Sequence, residues 1–215
     1  MVRRTMPDRV TRAGMVPASQ STRCNRGESQ PRAFSIYSAA VTNEPAETVR
    51  IRDERPGDVD AVRAVNRAAF ETSEEADLVD ALRRAASPLI SLVAEAGDAV
   101  VGHIMFSPVT LAGADALTLM GLAPMAVLPA RQRQGIGSRL VSAGLERCRE
   151  ANAAAVVVLG HAEYYPRFGF IPASRLSLRS EYDVPDDVFM VCELQPGRLQ
   201  GRAGTIRYHA AFGSL

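Results

Sequence analysis

Apolar and polar positions alternate along residues 49–53, the period of a half-buried strand. Pro56 and Gly57 end that run. Val59, Val62, Val65 and Phe70 then recur at helical spacing behind Asp58. A second helical stripe, Leu78, Val79 and Leu82, follows Thr72 and Ser73, with Glu74 and Glu75 in its first turn. Ser87 and Pro88 stop it. Two apolar runs, residues 89–95 and 99–111, flank Gly97 and Asp98 and predict a hairpin. A turn at residues 113–115 leads to a fourth strand over 117–128. Pro124 lies inside it and cannot donate to a ladder, which predicts a bulge or a place where pairing stops.

Ile136, Leu140, Val141, Leu145 and Cys148 share one helical face, and residues 153–159 are continuously apolar, the mark of a strand buried on both sides. Strand, helix and strand of these lengths predict a right-handed crossover and a parallel pair. Residues 160–170 predict a short helix ending at Gly169. Late strands are expected at 170–171, 188–194 and 205–208. The fold class is α/β, with a mixed central sheet, a splayed parallel pair and helices on both faces. Residues 1–46 read as a polar, arginine-rich extension or a transit segment, 47–195 as the domain, and 196–215 as a C-terminal strand and tail packing on it.

Composition narrows the function classes. A formal net charge of +1 over 215 residues gives no bulk attraction to nucleic acid. All 25 cationic residues are arginine, so a lysine Schiff base and a Walker-type lysine are both excluded. Cys24, Cys148 and Cys192 suggest neither a disulfide framework nor a metal site, which fits a reducing cytoplasm. No apolar run approaches the ~20 residues of a membrane span.

The chemistry concentrates between the fourth strand and the helix after it, at Pro129 to Leu140 (PARQRQGIGSRL). Gly135 and Gly137 permit a tight turn and close approach to a ligand. The first amides of a helix lack internal partners and carry the positive end of its dipole, so the turn suits phosphate. Arg131 and Arg133 add charge beside it. A GxGxxG dinucleotide fingerprint fails because Leu140 stands where the third glycine would be. The turn sits at the carboxyl end of the parallel pair, where open α/β sheets bind ligands.

Gln132 to Gly137, after the strand end at Val127 to Pro129, resembles the coenzyme-binding segment of the GNAT N-acetyltransferases, Q/R-x-x-G-x-G/A. Tyr165 to Phe170 (YPRFGF) resembles that family's later motif, an aromatic before a Gly-Phe pair. The element order matches the family's fold over residues 49–194, and Gly160 to Pro172 is similar to a bacterial subgroup of predicted acetyltransferases. The resemblance implies acetyl-CoA as cosubstrate, no metal, and transfer of acetyl to a primary amine of a small molecule or peptide. It implies coenzyme contacts from Gln132, Arg133, Gln134, Gly135, Ile136, Gly137 and Ser138, with the pyrophosphate on the turn. The pantetheine arm would lie along Met125, Ala126 and Val127. Tyr165 would protonate the leaving thiolate, and Tyr164 is expected to face elsewhere. His161, with Glu163 close by, is the candidate base. A homodimer is compatible with this reading, and a non-catalytic acyl-CoA-sensing module is the alternative.

Overall fold

The computed structural model describes residues 48–213, apart from Glu71 and Asp115. The expected extension over residues 1–46 lies outside the described residues. In chain order the elements are β1 (Val49–Asp53), α1 (Val59–Ala69), α2 (Glu74–Ala85), β2 (Ile90–Ala96), β3 (Ala99–Leu111) and β4 (Leu119–Val127). There follow α3 (Ile136–Glu150), β5 (Ala155–Leu159), β6 (Ile171–Pro172), β7 (Leu178–Ser180), β8 (Phe189–Glu193) and β9 (Gly204–Arg207). The sheet runs β1-β2-β3-β4-β5-β8-β6, and β9 joins the far end of β3 to β7. Its pairs are antiparallel except β4 with β5 and β7 with β9.

The parallel pair is incomplete. β4 and β5 are in register from Leu119 with Ala155 to Leu122 with Val158, and the ladder ends there. Pro124 supplies no amide, the Ala123–Pro124 peptide is cis, and the register against β3 shifts between Ile104 and Phe106. β4 resumes at Met125, paired to Ile104, Ala126 to His103 and Val127 to Gly102 of β3. β5 meanwhile pairs on with β8 up to Leu159. Both outcomes expected of the proline occur together: a bulge on one side and an end to pairing on the other.

The faces of the sheet are unlike. α3 covers one, its Ile136, Leu140 and Val141 buried with Leu92, Ile104, Phe106 and Leu122. Two glycines set the depth of that contact. A Cβ at Gly102 would sit 3.1 Å from Leu140 and 3.2 Å from Ile136, and one at Gly144 would sit 2.2 Å from the Phe106 ring. The other face is closed by α1, α2 and a C-terminal 3₁₀ turn, Ala210–Gly213, through Val62, Leu78, Leu82, Met105 and Phe212. Every β4 residue is buried between the two layers, which explains its unbroken apolar sequence. β7 was not foreseen: Leu178, Arg179 and Ser180 are too few, and too polar, to show a period.

A buried polar chain ties α1 and α2 to the sheet. Asn66 Nδ2 donates to the Val62 carbonyl at 2.9 Å and lies 3.1 Å from His103 Nδ1. Flipping the amide would set two acceptors against each other at Val62, so Nδ1 must accept and Nε2 must carry the ring proton. Nε2 then donates to Ser91 Oγ at 2.9 Å, and Ser91 donates to Glu54. Glu54 also accepts from Arg83 of α2 at 2.5 Å. His103 is fully buried, and desolvation, aided by the charge of Arg83, pulls its pKa down to about 3. Glu54, 3.9 Å from Nε2, is the carboxylate facing the ring.

Two outcomes follow for stability. An unfolded histidine titrates near pH 6.5, so below that pH the unfolded chain holds one proton that the folded ring refuses down to about pH 3. The ring's contribution is therefore complete above about pH 6.5 and is lost, at up to about 1.4 kcal/mol per pH unit, as pH falls across that window. Urea unfolding at pH 7, 6, 5 and 4 should show a flatter pH dependence for His103→Gln than for the wild type; equal slopes would mean that the folded ring accepts the proton. Gly144→Ala should lower stability by about 1–3 kcal/mol through its clash with Phe106, outweighing a helix-propensity gain of about 1 kcal/mol.

Candidate coenzyme cleft

The end of β4 leads into a compact turn. A 3₁₀ turn at Pro129–Arg131 comes first, then Arg133 at φ 61° and Gly135 at φ 80°. Gly135 is the N-cap of α3, and its left-handed conformation aims the chain into the helix. Arg133 holds a similar conformation without glycine's freedom, so a side chain is accepted there at the cost of backbone strain. Two glutamine side chains brace the turn: Gln132 Nε2 donates to the Val127 carbonyl at 3.1 Å, and Gln134 Nε2 to Ala130 at 3.2 Å. The first amides of α3 thus open onto a cleft.

The cleft measures about 580 Å³. One wall is the turn and the start of α3: Val127, Arg131, Gln132, Arg133, Gly135, Ile136, Gly137 and Ser138. The opposite wall is the segment after β5: His161, Ala162, Glu163, Tyr164 and Arg167. Three guanidinium groups and one carboxylate line it. With the helix dipole, that balance favours an anion.

Of the residues expected to hold the coenzyme, the structure brings Val127, Gln132, Arg133, Gly135, Ile136, Gly137 and Ser138 together on this wall. Gln134 is exposed behind the turn and does not line the cleft. Met125 and Ala126 are buried within β4, where strand alternation sends Met125 toward α3 and Ala126 toward His103 and α1. His161 lines the second wall, and its carbonyl accepts from the Tyr164 amide at 3.0 Å.

The two tyrosines take opposite places from those expected by exposure. Tyr165 is fully buried, its ring edge-on to Tyr164 at 5.1 Å and to Phe170 at 5.5 Å, in the cluster that holds Met125 and Ile136. Tyr164, expected to face elsewhere, lines the cleft, with its hydroxyl 3.4 Å from Ser138 Oγ. Tyr165–Phe168 is a 3₁₀ turn ending at Gly169 in the left-handed conformation, φ 88°. With three residues per turn, positions 164 and 167 eclipse, and the Arg167 guanidinium stacks 4.9 Å from the Tyr164 ring centroid. Arg167 also donates from Nε to the Tyr164 carbonyl at 2.9 Å. Neither Tyr164 nor Arg167 was singled out in the sequence as a coenzyme contact; Pro166, which favours a short turn over a full helix, was the available signal. Burial pushes both phenols above their ordinary pKa, so both remain protonated donors at neutral pH.

Among the described residues, no group of three His, Cys, Asp or Glu side chains is placed to hold a metal ion, and no helix is long and apolar enough to cross a membrane.

With this geometry in hand, comparison with known proteins is direct. Residues 50–173 match the family profile of the acetyltransferase (GNAT) domain. The chain is 38% identical over 163 residues to the N-acetyltransferase YhbS of Escherichia coli K12, covering 75% of this chain and 97% of the relative. It is 42% identical over 134 residues to YjhQ of the same strain, covering 60% of this chain and 74% of YjhQ. The crystal structure of E. coli YhbS in complex with CoA aligns with a TM-score of 0.74 at 37% identity, over 79% of this chain and 94% of that one. A GNAT acetyltransferase from Brucella melitensis in complex with acetyl-CoA aligns with a TM-score of 0.64 at 39% identity, over 77% and 99% of the two chains. A splayed parallel pair, a glycine turn opening a helix beside it, and sequence similarity across both elements lead to one conclusion: the chain belongs to the GNAT acetyltransferase family.

Proposed function

We propose that the protein transfers the acetyl group of acetyl-CoA to a primary amine by direct attack within a ternary complex. The observation that carries this reading is the end of the β4–β5 ladder at Leu122 and Val158, beside a turn built for phosphate. Beyond that point β4 is paired on one side only, so its other edge can accept an extended arm as an added strand. The pyrophosphate of acetyl-CoA would rest on the amides of residues 133–138. Its pantetheine arm would run back along Val127, Ala126 and Met125. The relatives solved with CoA and acetyl-CoA support the choice of coenzyme.

The reaction needs a neutral amine, polarisation of the thioester carbonyl and a proton for the departing thiolate. The amine nitrogen attacks the carbonyl carbon, a tetrahedral intermediate collapses, and the carbon–sulfur bond breaks. Three residues of strand span about 10 Å, so a thioester paired near Met125 lies about that far from the phosphate end. The Tyr164 hydroxyl sits at the phosphate end, beside Ser138. Tyr165 shares the Met125 cluster, on which Tyr164 also packs, but it is Tyr165 that stands four residues before Gly169, as in the family's motif, and it keeps its proton by burial. Tyr165 is therefore our proposed acid, reached once the coenzyme parts the strands. His161, on the cleft wall, is the proposed base, acting directly or through water, with Glu163 its neighbour. The amine would arrive on the α1 and α2 side of the sheet.

Thiol release from acetyl-CoA over a panel of small and peptidyl primary amines tests the reaction. Turnover on at least one amine is expected, and coenzyme binding without turnover on any would overturn the amine-acceptor assignment. Tyr165→Phe should lower kcat by about 10²-fold or more while the CoA Kd stays within twofold; unchanged kcat would remove Tyr165 as the acid. Gly135→Glu places a carboxylate at the phosphate turn and forces a side chain into φ 80°, so CoA binding should weaken at least tenfold in calorimetry. Retained affinity would sink the phosphate assignment.

A further inference from the structure

The hydroxyl of Tyr164 reaches across the cleft to the start of α3. It lies 3.0 Å from where a Cβ would stand at Gly137, so that glycine leaves just enough room for it. Its distance to Ser138 Oγ, 3.4 Å, is long for a bond between hydroxyls. Either proton can therefore turn to a third oxygen at small cost. Gly137 and Ser138 belong to the first turn of α3, whose amides have no intrahelical acceptor. Two hydroxyl donors and the first amides of α3 border the same cleft as Arg131, Arg133 and Arg167. An oxygen with several lone pairs and negative charge answers all of them, and a phosphate supplies it.

The ring is held on several sides. Arg167 stacks on one face, Tyr165 meets it edge-on at 5.1 Å and Phe168 packs at 5.4 Å. Arg167 also fixes the backbone below it through the Tyr164 carbonyl. A donor with its ring clamped this way pays little ordering entropy on binding.

Resting on the acetyl-CoA reading above, we infer that Tyr164 is a ligand of the coenzyme's diphosphate. Its O–H donates to a phosphate oxygen that Ser138 and the first amides of α3 also bind, and Arg167 is the positioning residue that holds the ring. The segment after β5 thereby supplies the second half of an anion site whose first half is the glycine turn.

Tyr164→Phe is the direct test, because it keeps the ring, its packing and the Arg167 stack while removing the hydroxyl. Calorimetric titration with CoA should give a Kd about tenfold weaker than the wild type's. Pantetheine, the same arm without the diphosphate, is the second probe. At millimolar concentration it should raise the melting temperature of wild type and variant equally. Ser138→Ala should weaken CoA binding less in the Tyr164→Phe background than in the wild type, since the two hydroxyls share one acceptor. An unchanged CoA Kd in Tyr164→Phe would overturn the assignment, as would an equal loss toward CoA and pantetheine, which would make the hydroxyl a packing group. Absence of CoA binding by the wild type would overturn the coenzyme reading itself, and it is measured before any variant.

Discussion

Two parallel strands that stop pairing halfway along their length govern the rest of this molecule. A parallel ladder is normally buried and continuous, and ending it inside a core leaves backbone donors and acceptors to be satisfied. The protein meets that cost where it is useful. β4 keeps β3 on one side, β5 turns to β8, and the gap between them opens beside the turn that starts α3, whose first amides lack intrahelical acceptors. Two sets of unpaired backbone groups, one along an edge and one at a helix start, are thus brought next to each other. A ligand with an extended amide arm and a charged end fits both.

Much of this was legible in the residues. The bounds of β3, the single face of α3 and the buried run of β5 followed from hydrophobic period, because those elements are long and packed on a uniform neighbour. Pro124 announced the break in the ladder, since a residue without an amide cannot hide inside a central strand. What stayed illegible depended on local geometry within a few residues. Which of two adjacent tyrosines meets the cleft depends on the phase of a four-residue 3₁₀ turn, an element too short to show a period. Gln134 reads as a ligand contact, yet it lies exposed behind the turn and its amide braces Ala130, because a side-chain amide serves backbone and ligand equally well. β7 is too short to carry a period at all.

The face covered by α1 and α2 is tied to the sheet differently from the face covered by α3. α3 meets the sheet through apolar contact at a depth set by Gly102 and Gly144, and at its exposed edge through Arg139 to the Val49 carbonyl and Arg147 to Asp53. α1 and α2 are also joined to it by the chain from Asn66 through His103, Ser91 and Glu54 to Arg83. Each member of that chain has one donor direction that works, so the chain specifies the seating of both helices as well as contributing to their stability. Asn66 Oδ1, buried without a protein partner, is the loose end of the network and lies on the face from which an amine would come.

The arginines of the cleft have one more consequence. A diphosphate held beside Arg131, Arg133 and Arg167 would have guanidinium groups as its nearest cations, and the chain contains no lysine. A guanidinium keeps its proton at every physiological pH and does not attack a carbonyl, whereas a lysine ammonium in the same place would lose its proton readily in a partly desolvated cleft. Phosphate charge is thereby neutralised by groups that are chemically inert toward the acyl donor. The protein has built an acyl-transfer cleft with no side-chain amine of its own to acylate, leaving an incoming amine without internal competition.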